Sequence, residues 1–225
     1  MKDKIIVALD VSFSDAVKII EDVGDKVGYF KVNSLFVENP GIVKVIKDNG
    51  GKVFLDLKFH DIPNTVANHC SVVKNVDMLT IHTSGGLEMM KKAVEAFDSE
   101  RPLLLGVTVL TSIDQERLNN ELKVNGLVEN QVVHLAKLAK KAGLDGVIAS
   151  AKETKLIKQV CGGDFLVVTP GIRPAWSVKD DQKRVLTPKE AIDNGSDYLV
   201  IGRAITGQSD RKEAVRRILD ELKLS

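Results

Sequence analysis

Gly51-Lys52-Val53-Phe54-Leu55-Asp56-Leu57-Lys58-Phe59-His60-Asp61-Ile62-Pro63 is the stretch on which the fold turns. Residues 52–57 read as a strand whose apolar run Val53-Phe54-Leu55 suits a parallel sheet buried on both faces. The run then breaks into charge, with Asp56, Lys58 and Asp61 following one another closely. Working outward, runs of the same kind recur at 5–10, 29–33, 78–83, 103–110, 146–150, 166–170 and 198–202. Helix-length stretches separate them. The last, 209–222, places Ala214, Val215, Ile218, Leu219 and Leu222 on one face.

Boundary residues support the alternation. Thr187-Pro188-Lys189-Glu190 combines a capping box with proline at the first helical position. Ser14 and Asp15 open the first helix in the same way. Gly143 and Gly195 follow helical stretches where a left-handed cap is wanted. Eight β-α units with no break in composition predict an α/β fold, a single (β/α)8 barrel forming one domain over 1–225. The alternative is an open doubly wound sheet, but no G-x-G-x-x-G follows the first strand. Two connections, 111–130 and 171–187, are long enough to be functional loops.

Composition narrows the function. Of 225 residues, 44% are hydrophobic, enough for a sizeable core. Lys plus Arg number 32 and Asp plus Glu 31, a net charge of +1, so neither a nucleic-acid nor a membrane partner is expected. The apolar run after Lys2 and Lys4 is too short for a signal-peptide core and reads as a strand. Cys70 and Cys161 have neither metal-ligand nor secreted-type spacing, so a cytoplasmic location is expected. Cys70 reads as a core filler.

The expected strand ends collect charge: Asp10 on the first, Lys31 on the second, Asp56 and Lys58 on the third, with Asp61 just beyond. Ionised groups at the edge of an apolar core cost free energy unless paired, and alternating signs let them offset one another. One reading is an ion-pair network that seals the barrel top. The other, favoured by the four together with Asp61, is a catalytic array. With Leu57 outward, alternation points Asp56 and Lys58 the same way. The eighth strand ends Gly202-Arg203, which suits a phosphate, as glycine admits the backbone and arginine pairs in bidentate fashion. A packing glycine with a surface arginine is the plainer reading. Gln182, in the long loop, is a further phosphate donor. Thr108 to Ser112 offer hydroxyls to a heterocycle edge or simply cap a loop. His82 reads as a satisfied barrel-top histidine, and His60 is left outside the site.

At this point the residues resemble a known family, the orotidine 5′-phosphate decarboxylases of the bacterial type. Ile6-Val7-Ala8-Leu9-Asp10, Phe30-Lys31-Val32, the signature from Phe54 to Thr65, Val107 to Ser112, Val168 to Pro174 and Val200 to Arg203 follow in the family's order. The resemblance implies a small nucleotide substrate, orotidine 5′-phosphate, converted to uridine 5′-phosphate (UMP) and carbon dioxide without cofactor or metal. It implies Lys58 as proton donor to pyrimidine C6 and Asp56 beside the departing carboxylate. Asp10 and Lys31 would bind ribose and complete the array, Thr111 would meet the pyrimidine, and Gln182, Gly202 and Arg203 would hold the phosphate. Arg173 lies in the motif and is grouped with the substrate-binding residues. Asp61 and Thr65 would reach a partner's site, implying a homodimer. Val32-Asn33-Ser34-Leu35-Phe36 departs from the family, lacking its glycine and one residue of turn. Two rivals stand beside this reading. A metal-dependent sugar-phosphate decarboxylase or aldolase shares Asp-x-Lys-x-x-Asp but wants an acidic ligand where Lys31 and Asn33 stand. A silent nucleotide-binding protein would not need Lys58 and both flanking acids.

Overall fold

The computed structural model describes residues 1–97, 100–177 and 186–223. Eight parallel strands, β1 (Ile5–Ala8), β2 (Tyr29–Val32), β3 (Lys52–Phe59), β4 (Met78–His82), β5 (Leu103–Val107), β6 (Gly146–Ile148), β7 (Leu166–Thr169) and β8 (Tyr198–Ile201), pair in chain order. β8 returns to β1 through Ile5↔Leu199, Ile6↔Val200 and Val7↔Ile201, so the sheet is a closed barrel and not an open one. Every strand begins where its apolar run begins. All but β3 end sooner than expected, by one to three residues.

Around the barrel lie α1 (Phe13–Val23), α2 (Ser34–Glu38), α3 (Ile42–Asp48), α4 (Pro63–Val72), α5 (Gly86–Glu95), α6 (Gln115–Asn120), α7 (Val128–Ala142), α8 (Thr154–Cys161), α9 (Pro188–Asp193), α10 (Arg203–Thr206) and α11 (Arg211–Lys223). The capping box of Thr187 and Glu190 forms with Pro188 in the first turn. Gly143 and Gly195 take the left-handed φ expected of them, 91° and 94°. The first helix corrects the reading: Ser12, not Ser14, is its N-cap, accepting from Asp15 N at 3.2 Å, with Ser14 and Asp15 inside the first turn. The long connection 111–130 carries α6, whose N-cap Asp114 accepts from Arg117 N.

Two apolar layers result. One packs helices against the outer strand faces. The other fills the barrel with Ile6, Ala8, Tyr29, Phe54, Met78, Leu105, Val168 and Val200. Side chains on a strand alternate faces, so the inward position two residues further on lies one layer nearer the C-terminal mouth. Beyond Ala8, Tyr29, Phe54, Met78, Val168 and Val200 these positions are Asp10, Lys31, Asp56, Thr80, Pro170 and Gly202. The polar layer of the mouth therefore follows from pleat alone.

The opposite face is built for stability. Asp77, Asp145 and Asp197 precede β4, β6 and β8. Each carboxylate accepts at 2.7 Å from the N–H of Val53, Leu104 or Val167 on the preceding strand. Each also pairs with a cation: Lys47, Arg101 or Lys158 respectively. Charge-assisted bonds to strand-opening N–H groups staple neighbouring strands in pairs.

Candidate active site

The charged strand ends come together. Asp56 is 9% exposed, and its carboxylate is surrounded by partners. Oδ2 lies 2.7 Å from Lys58 Nζ and 3.4 Å from Lys31 Nζ, while Oδ1 accepts from the Thr80 hydroxyl at 2.9 Å. Lys31 Nζ also stands 3.6 Å from Asp10 Oδ1, which accepts from Asn33 Nδ2 at 3.2 Å. Asn33 fills the departure from the family pattern: its Oδ1 caps α2 at Ser34 N while its amide holds Asp10. Burial pushes the Asp56 carboxyl up, but the Lys31 and Lys58 charges and the Lys58 and Thr80 hydrogen bonds outweigh it. The group lies below the ordinary carboxylate value.

Asp56 and Lys58 meet, but not through the regular alternation expected of a strand. Leu55 pairs with Leu79 and Phe59 with Ile81, so β3 advances further than β4 across this step. Lys58 takes a left-handed φ of 51°, and its N–H donates to Thr80 Oγ1 at 2.9 Å. Such a conformation costs a non-glycine residue about 1–3 kcal/mol and is kept where its surroundings enforce it. Here it turns the ammonium back over Asp56.

Two adjoining cavities open from this array. One, of about 220 Å³, is walled by Phe54, Val107, Val109, Leu110, Ile148 and Ala149, with Lys58, Asp56, Lys31 and Thr111 bringing polar atoms. The other, of about 550 Å³, is lined by Asp10, Lys31, Arg173, Gly202 and Arg203. Lys31, Pro170 and Val200 border both, so the site is a continuous trough with an apolar end and a basic end. A Cβ at Gly202 would meet nothing nearer than Ala8 Cβ at 3.7 Å, so the space that glycine leaves is cavity.

Of the expected residues, Asp10, Lys31, Asp56, Lys58, Thr111, Arg173, Gly202 and Arg203 line this trough. Asp61 and Thr65 do not. Asp61 is exposed at the start of α4, with Oδ1 accepting from Ile62 N. Gln182 lies outside the described residues. The Thr108 hydroxyl donates to Ile148 O at 2.8 Å, so its proton closes the β5–β6 seam and is not offered to a heterocycle. His82 stacks near His60, ring centroids 5.2 Å apart. Burial, then the His60 and Lys58 charges, lower its pKa against an opposing pull from Asp56. Cys70 is core, its thiol pushed up to about 12 by burial. Thr80, Asn33, Ser177 and Gln208 were missed by the sequence reading. Only Thr80 had a signal, as a hydroxyl at an inward position of an apolar strand.

Fold and family define a (β/α)8 barrel enzyme, and its clustered charges lie at the C-terminal strand ends. The chain belongs to the orotidine 5′-phosphate decarboxylase / HUMPS family, whose profile matches residues 3–218. It is 46% identical over 233 aligned positions to orotidine 5′-phosphate decarboxylase of Heliobacterium modesticaldum, covering 98% of this chain and 96% of that protein. It is 48% identical over 229 positions to the enzyme of Geotalea daltonii, covering 97% and 95%. The crystal structure of orotidine 5′-phosphate decarboxylase from Lactobacillus acidophilus is similar with a TM-score of 0.83 at 39% identity, covering 97% of this chain and 98% of that one.

Proposed function

We propose that this chain, as one catalytic domain over 1–225, decarboxylates orotidine 5′-phosphate to UMP, with Lys58 as the proton donor. The observation that carries this reading is the Asp56 carboxylate held between Lys31 and Lys58 at the wall of an apolar cavity whose far end opens to Arg203. In that trough the phosphate lies by Arg203 and Gly202, with Arg173 on the same rim. The ribose meets Asp10 and Lys31, and the pyrimidine lies toward Thr111.

Breaking the C6–carboxylate bond releases carbon dioxide and leaves the electron pair in an in-plane orbital at C6, where ring resonance does not reach it. A fixed ammonium facing that carbon stabilises the developing charge without reorganisation. Lys58 then transfers its proton to C6, which completes UMP, and regains one from solvent. Asp56 fixes Lys58 and repels the bound carboxylate. Phosphate and ribose contacts, remote from the breaking bond, hold the carboxylate against that repulsion.

Asp61 and Thr65 do not line the trough of their own chain, which supports a homodimer in which each subunit lends them to its partner. Two buried free cysteines favour a reducing cytoplasm. Among the described residues no helix is long and apolar enough to cross a membrane. The rival reading is a metal-dependent sugar-phosphate decarboxylase or aldolase on a related barrel, which wants an acidic ligand after β2. Lys31 and Asn33 occupy that place. The test is the loss of orotidine 5′-phosphate absorbance with and without exhaustive chelation. Undiminished turnover is expected, and a requirement for added magnesium would favour the sugar-phosphate reaction instead.

A further inference from the structure

We infer that Thr80 is a positioning residue for the decarboxylation, its hydroxyl setting at once the orientation of the Asp56 carboxylate and the left-handed backbone of Lys58. The inference rests on the decarboxylase reading above and assigns a role to a residue that touches no substrate.

Thr80 is fully buried on β4. It stands between Leu79, which pairs with Leu55, and Ile81, which pairs with Phe59, and so faces the irregular step of β3. Its Oγ1 accepts from Lys58 N and donates to Asp56 Oδ1, both at 2.9 Å. The directions admit no choice. A backbone N–H only donates, an ionised carboxylate only accepts, and the hydroxyl has one proton, which goes to Asp56.

Each bond restrains a freedom of the array. The last torsion of an aspartate is broad and roughly two-fold, so packing alone orients its oxygens poorly. With Oδ1 on Thr80, Oδ2 is left turned to Lys58 at 2.7 Å and Lys31 at 3.4 Å. The register shift leaves the Lys58 N–H to the same hydroxyl, and that bond holds φ at 51°. One side chain thereby ties the acid and the ammonium into a fixed geometry. Misplacement of a reacting group by about 1 Å costs on the order of 10²-fold in rate.

The test compares Thr80→Val, which keeps shape and loses the hydroxyl, with Thr80→Ser, which keeps the hydroxyl. Turnover and KM for orotidine 5′-phosphate, the Kd of UMP and Tm are measured for each. Expected for Thr80→Val is a kcat about 10²-fold below wild type, with KM and UMP affinity within about threefold. Thr80→Ser should recover kcat to within about tenfold of wild type. Thr80→Cys, which fills the space with a weak hydrogen-bonding group, should lose at least about tenfold and replaces Val if that variant does not fold. A folded variant lacking the hydroxyl that keeps wild-type kcat overturns the inference. So does a Ser variant no better than Val, or a loss of UMP binding as large as the loss of kcat. Absence of turnover in the wild-type protein overturns the decarboxylase reading and this inference with it. Equal kcat in variant and active wild type overturns this inference alone.

Discussion

Lys58 Nζ stands 2.7 Å from Asp56 Oδ2 although the strand that carries both loses its register between them. A regular strand would aim both side chains into the barrel mouth side by side. The left-handed φ of Lys58 instead folds the ammonium back onto the acid, and Lys31 approaches the same oxygen from β2. The result is a cation, an anion and a second cation in a space that is mostly apolar. Two ammonium groups this close are tolerated only while the carboxylate between them stays ionised.

That dependence makes a pH prediction. The Asp56 carboxyl is held below its ordinary value, so the folded state binds its proton less readily than the unfolded chain does. Its contribution to stability is fully present above the ordinary carboxylate range and is lost as pH falls through the depressed folded value. Asp56→Asn removes the carboxylate from Lys58 and leaves Lys31 only Asp10 at every pH. The Tm gap between wild type and this variant should be largest near neutrality and shrink below about pH 4. A gap that is constant or widens toward acid would show that Asp56 is not the ionised centre of the array.

Arg203→Ala should weaken UMP binding by at least about tenfold, since a charge-assisted bidentate contact is stronger than a neutral hydrogen bond. Uridine should bind poorly to both proteins and barely register the change. Calorimetric titration of each with UMP and uridine decides it. Equal losses for the two ligands would remove Arg203 from the phosphate site.

Much of this site is legible in the sequence because strand pleat and strand order do most of the positioning. Every β-strand starts at its apolar run, and the inward positions beyond Ala8, Tyr29, Phe54 and Val200 deliver Asp10, Lys31, Asp56 and Gly202. Roles came from the family resemblance, not from spacing. What was not legible depends on contacts between distant strands. Thr80 is an ordinary strand threonine until β3 slips against β4, and Thr108 is an ordinary loop hydroxyl until Ile148 O meets it. Ser12 displaced Ser14 as the cap because both precede an apolar run, and two residues of register are within the ambiguity of helix starts. Asp77, Asp145 and Asp197 gave no signal, since a lone aspartate before a strand is also an ordinary turn residue.

The division between the two barrel faces has its own test. Asp145 joins Leu104 N and Arg101 at the N-terminal face, far along the strands from Lys58. Asp145→Ala should cost about 2–4 kcal/mol of stability by stranding a cation and an N–H, with a Tm lower by roughly 5–15 °C. Turnover measured well below that Tm should stay near wild type. A large loss of kcat in protein that is still folded would show that this face shapes the site.

A shared active site predicts complementation. Asp61 is exposed at the head of α4, near the exposed Ile62, and lies outside the trough of its own chain. A two-fold interface exchanges the same element both ways. Mixed Lys58→Ala and Asp61→Ala subunits, each inactive alone, should form heterodimers in which one site carries both lesions and the other neither. Activity should return as mass spectrometry shows subunit exchange. Exchange without activity would place Asp61 within its own subunit's chemistry.

The most direct measurement is the turnover of orotidine 5′-phosphate by Lys58→Ala beside wild type, with UMP affinity measured on the same preparations. Losing one preorganised donor costs about 10²–10³ in kcat, and here the stabilising charge and the proton vanish together. We expect kcat to fall by several powers of ten while the variant stays folded and still binds UMP through Arg203. A variant within about tenfold of wild type would contradict the account, because some other group would then carry the proton to C6.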